Sequence, residues 1–99
     1  MAPGSGASPT PSIPDRLLVR RVAEGDRGAL RELRLRYGPT AYAVAYSVVV
    51  DPEQAEAAVA EAFTLAWHRA RDPRGPGDSV SAWITRLTRE AAERLRRPA

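Results

Sequence analysis

The stretch DPEQAEAAVAEAFTLAWHRA, Asp51 to Ala70, decides the fold. Asp51 can accept hydrogen bonds from the open N–H groups of a first helical turn. Pro52 suits that turn, and Gln54 occupies the capping-box position. Beyond them Ala55, Ala58, Val59, Ala62, Phe63, Ala66, Trp67 and Ala70 recur at helical spacing and form one apolar stripe. The spacing predicts a helix over Glu53 to Ala70 with Glu53, Glu56 and Glu61 on its exposed side.

Reading outward from this helix gives more helices. Asp72 to Asp78 (DPRGPGD) is a Pro- and Gly-rich loop. Ser79 or Asp78 can cap a last helix that buries Val80, Trp83, Ile84, Leu87 and Ala91 and ends in Arg94, Arg96 and Arg97, cations suited to a helix C-terminus. Upstream, Thr40 to Val50 is apolar nearly all round and is expected to be the central buried helix. Its Val48-Val49-Val50 run has no partner strand elsewhere. Gly38-Pro39 is expected to break or kink the helix before it, which carries Ala29, Leu30, Leu33 and Tyr37. Asp15 to Glu24 forms the first helix, with Leu17, Leu18 and Val22 on one face. Gly25 stops it in the left-handed conformation, and Asp26 caps the next. Met1 to Pro14 is Pro, Gly, Ser and Ala with one Ile, a composition that predicts a disordered tail. The expected fold is thus all-α, a compact bundle of four to five helices over residues 15–97 behind a tail over 1–14.

The 99 residues are room for one domain. Cysteine is absent, which excludes disulfides and thiolate metal or redox sites and fits a cytoplasmic protein. No apolar run approaches the ~18 residues of a membrane span, and the N-terminus lacks the pattern of a signal peptide. Net charge is +3, every basic residue is Arg, and the balance permits a nucleic-acid partner without requiring one. Charge is unevenly spread. Asp51 to Ala66 holds acids and no Arg, while the loop and last helix hold many of the Arg residues. Two partner surfaces of opposite sign would look like this, and so would two ordinary solvated faces.

Catalytic chemistry finds no support. His68 is the only histidine and has neither a second His nor a Cys with which to hold a metal. No Gly-rich phosphate loop is present, the glutamates lack EF-hand spacing, and Ser79 and Ser81 have no base nearby in sequence. Trp67 and Trp83 read as core residues more readily than as cofactor ligands. The chain is expected to be no enzyme and to need no cofactor or metal.

Several pieces in order carry a resemblance: Leu17-Leu18-Val19-Arg20-Arg21, Glu24-Gly25-Asp26, Ala29-Leu30-Arg31-Glu32-Leu33, Arg36-Tyr37-Gly38-Pro39, Asp51-Pro52-Glu53-Gln54-Ala55-Glu56, Glu61-Ala62-Phe63, Trp67, Ser79-Val80-Ser81-Ala82-Trp83 and Arg94-Leu95-Arg96-Arg97. Together they resemble conserved region 2 of the extracytoplasmic-function sigma factors of bacterial RNA polymerase, over about Asp15 to Arg97. The resemblance implies a helical bundle that docks its acidic helix on the coiled coil of the largest subunit of core RNA polymerase. Glu53, Glu56, Ala57, Ala60, Glu61 and Phe63 stand at the matching positions. It also implies that the next loop and helix hold the melted, single-stranded minus-ten promoter DNA, here through Arg69, Arg71, Arg74, Ser79, Trp83, Arg86, Arg89 and Glu90.

Three places depart from the family's pattern. Ala57 and Ala60 stand where the family shows an acid and a glutamine, and Glu90 stands where Asn is common, an acid expected to repel phosphate. The chain also offers nothing after Ala99 for the family's second, region 4 domain. These departures motivate an alternative: a sigma-like interaction module without initiation activity, bound to an anti-sigma factor or to a separate region 4-like chain. An ordinary helix-turn-helix binder fits less well, because no short turn joins two helices with a recognition face.

Overall fold

The computed structural model describes residues 13–77 and 79–96. Four helices make it up: α1 Asp15–Ala23, α2 Arg27–Val49, α3 Pro52–Arg69 and α4 Val80–Leu95. Most of the tail expected over 1–14 lies outside the described residues, as does Arg97. Ile13 packs against the core and the Pro14 carbonyl accepts from the Leu17 and Leu18 N–H groups, so ordered chain precedes the expected boundary at Asp15.

The helix ends form by the local chemistry the sequence carries. The Asp26, Asp51 and Ser79 side chains accept from the N–H groups of Ala29, Gln54 and Ala82. Gly25, at φ +93°, closes α1: its N–H meets the Val22 carbonyl and that of Asp26 meets Arg21, the two bonds of a Schellman ending.

Two expectations about residues 27–50 are corrected. Gly38-Pro39 does not divide the segment, and α2 runs unbroken through it. Pro39 cannot donate to the Leu35 carbonyl one turn back. Both residues lie on the exposed side of α2, where water can serve that carbonyl. Nor is Thr40 to Val50 a central buried helix. Only Ala41 and Ala45 are buried there, while Tyr46 and Val50 are exposed. The buried positions of α2, Ala29, Leu33, Ala41 and Ala45, form a narrow stripe whose small residues let α3 and α4 approach closely.

The core lies where α3 and α4 pack on each other and on α2. Phe63, Leu18, Leu33 and Val22 are its largest fully buried apolar side chains. Val19, Thr88 and Ala92 join the residues expected from periodicity. Thr88 satisfies its buried hydroxyl by donating to the Ile84 carbonyl, 2.8 Å away. This packing sets the rigid relation between the outer side of α3 and the loop that follows it.

Candidate docking face and nucleic-acid pocket

The outer side of α3 exposes Glu53, Glu56, Ala57, Ala60 and Glu61. Phe63 is not on that surface. It is 2% exposed and fixes the helix from beneath, with the Arg34 guanidinium 5.8 Å from its ring centre. Glu53 and Glu56 make no ion pair among the described residues. Glu61 instead meets Arg94 of α4 at 3.1 Å.

Four of these positions, Glu53, Glu56, Ala57 and Ala60, line a groove of about 840 Å³ between α3 and α2. The α2 side brings Arg31, Arg34, Leu35 and Tyr42. Sequence reading did not place α2 here. The available signal was Leu35, a leucine out of phase with the buried Ala29–Leu33 stripe and 71% exposed.

A second concavity of about 480 Å³ opens between the loop after α3 and the side of α4. It gathers six of the eight residues assigned to strand binding: Arg69, Arg74, Trp83, Arg86, Arg89 and Glu90. Leu87 and Trp83 supply the apolar lining, although each is only 4% exposed and mostly fills the core. Arg71 is exposed on the loop outside this pocket, and Ser79 is spent on capping α4. Trp67 belongs to the α2–α3 side, under Arg27 at 4.6 Å, and does not wall the pocket.

The loop is held by its own backbone. The Gly75 N–H meets the Asp72 carbonyl at 2.8 Å, and the Arg74 N–H meets the Asp72 side chain. A Cβ at Gly75 would lie 3.1 Å from that same carbonyl, so the tight turn favours glycine. Arg16 of α1 donates to the Gly77 carbonyl at 2.8 Å and ties the loop to the bundle.

Glu90 does not stand in the pocket as a bare acid. It pairs with Arg69 and lies 3.6 Å from Arg94. The Arg69 hydrogen bonds hold its carboxyl below the usual carboxylate range, so it stays ionised and internally neutralised. The repulsion of phosphate expected from this position is correspondingly blunted. Four guanidiniums then face two carboxylates, Asp72 and Glu90, around the pocket.

Among the described residues no acidic, His or Cys cluster could hold a metal ion, and no helix is long and apolar enough to cross a membrane. The family model for Sigma-70 region 2 matches residues 33–99, which include the lining of both concavities except Arg31. No curated protein and no solved structure matches the chain.

Proposed function

The chain belongs to the Sigma-70 region 2 family and is a sigma-factor-like module of transcription initiation; we propose that it docks on core RNA polymerase through α3 and holds melted promoter DNA beside α4. In this reading Glu53, Glu56 and Glu61 meet cations on the coiled coil of the largest subunit. The pocket between the loop and α4 takes an extruded base of the non-template minus-ten strand, and Arg74, Arg86 and Arg89 pair with phosphates.

The observation that carries the proposal is the pairing of surfaces on one packed helix pair. α3 presents Glu53 and Glu56 outward with no ion pair among the described residues, while the loop and α4 present Arg74, Arg86 and Arg89 around a hollow. A surface that meets protein cations and a pocket that meets phosphates need these opposite signs held apart.

Retention of core polymerase on the tagged domain tests the docking, with Glu56→Arg and Glu61→Arg as variants and circular dichroism as the check on folding. Loss of retention in folded variants supports docking through α3. A folded wild-type domain that retains no polymerase sinks it, and supports instead an interaction module without initiation activity, to which Ala57 and Ala60 already incline. For the DNA half, Arg86→Ala and Arg89→Ala are expected to weaken single-strand binding evenly across sequences and to flatten its salt dependence.

A further inference from the structure

The groove between α2 and α3 is charged at its two ends and apolar between them. α2 ends at Val49 and α3 begins at Pro52, so the two helices run antiparallel from one short turn. On the helical rise, Arg31 and Arg34 lie about 27 and about 22 Å from that turn, and Glu53 and Glu56 about 2 and about 6 Å from it. All four line the groove, and none makes an ion pair among the described residues. Leu35, 71% exposed, and Ala57 stand between the charged ends, about 21 and about 8 Å from the turn.

These levels match in pairs. Arg31 with Glu53, Arg34 with Glu56 and Leu35 with Ala57 each lie evenly to either side of a point about 14 Å from the turn. A twofold axis through that point, lying across the helices, sets the cation end of one groove against the acid end of a second copy. It also brings each exposed leucine level with a small alanine. A copy laid on in the parallel sense sets Arg against Arg instead.

We propose that this face closes on a second copy of the chain in a twofold dimer. Arg31 and Arg34 of each copy meet Glu53 and Glu56 of the other, and Leu35 seats beside Ala57. The occupant follows from the charge order, because a second copy offers the opposite sign at each charged level. The dimer covers Glu53 and Glu56, so it and the docking proposed above exclude each other. It stands on the groove alone and does not depend on that docking.

The symmetry gives charge reversal a particular signature, since every contact occurs twice. Arg31→Glu sets acid on acid at both ends of the dimer, and Glu53→Arg sets cation on cation. Each weakens self-association about tenfold or more. In an equimolar mixture of these two variants both ends of the heterodimer are again opposite in sign, and association returns. Leu35→Asp places a charge in the apolar middle and weakens the dimer with no rescue by mixing.

Sedimentation equilibrium of the full chain from micromolar to millimolar concentration, at low and high salt, tests this, with circular dichroism to confirm folding. The result expected is a wild-type dimer that loosens at high salt, three weakened variants, and recovery in the Arg31→Glu and Glu53→Arg mixture alone. A wild type that stays monomeric throughout overturns the proposal. So does a dimer that the three substitutions leave unchanged, or a mixture that fails to recover. Docking through α3, read separately by polymerase retention, survives each of these outcomes.

Discussion

Arg69, on the last turn of α3, and Glu90, three turns into α4, form a two-point ion pair: Nη1 and Nη2 each lie 2.9 Å from one carboxylate oxygen. Arg94 approaches the same carboxylate and also reaches Glu61 on the outer side of α3. A chain of alternating charge therefore runs from the proposed docking face to the proposed strand pocket. All its members are partly solvated, so it links the two helices at modest strength.

Glu90→Gln is expected to tighten binding of a single-stranded oligonucleotide. The change removes a negative charge from the pocket and releases Arg69 for phosphate. An exposed pair of this kind is worth ~0.2–1 kcal/mol, so the gain should be at most about fivefold. Its salt dependence should steepen as one more cation meets the strand. Fluorescence anisotropy at two salt concentrations measures both.

The same residue gives stability an acid limb. Folding lowers the Glu90 pKa, through Arg69 first. Its contribution is therefore full above the unfolded value of about 4.3 and is lost as pH falls through the lower folded value. Wild type should melt above Glu90→Gln at pH 7, by the equivalent of ~0.2–1 kcal/mol. The gap should close as pH falls below the unfolded value. Melting curves of both proteins across that range test the sign.

The sequence carried helix ends and inner faces well, because each rests on local chemistry. Asp26, Asp51 and Ser79 cap as their side chains dictate, and the α3 stripe from Ala55 to Ala66 is buried as its spacing requires. What failed was tertiary. Pro39 looked like a break because propensity does not know that the carbonyl left without its N–H faces water. The apolar residues 40–50 looked central because composition does not reveal which side neighbours will cover. On the candidate site, six of the eight residues expected to hold the strand do line one hollow between the loop and α4. The opposite wall of the α3 groove was not legible, since Arg31 and Leu35 become its partners only through the packing of α2. Glu90 looked repulsive because its partner Arg69 lies 21 residues away.

Val50 ends α2 in the left-handed conformation, φ 50° and ψ 42°, which a β-branched side chain rarely adopts. The residue is 67% exposed, so little burial offsets the strain. Val50→Asn supplies a side chain that enters this region more easily. It should stabilise by ~1 kcal/mol, a rise in Tm of about 4–8 °C for a domain of this size. Val50→Ile, equally branched, should bring no such rise in the same scanning calorimetry.

Asp15 pins α1 to α2. It accepts from the Tyr37 hydroxyl and from Arg36 at 2.8 Å, while Leu18, Val19 and Val22 bury the inner face of α1. α1 lies before the matched residues 33–99. Tyr37→Phe removes one hydrogen bond to a carboxylate and should cost ~1 kcal/mol, Arg36 still holding Asp15. The hydrogen bond to Asp15, and burial after it, raise the Tyr37 pKa. Its contribution is thus complete below the unfolded value of about 10 and disappears as pH rises through the higher folded value. Wild type and Tyr37→Phe should differ in urea midpoint at pH 7 and converge above that value. A gap that persisted unchanged into strong alkali would mean that the ring's packing, and not the hydroxyl, holds α1 in place.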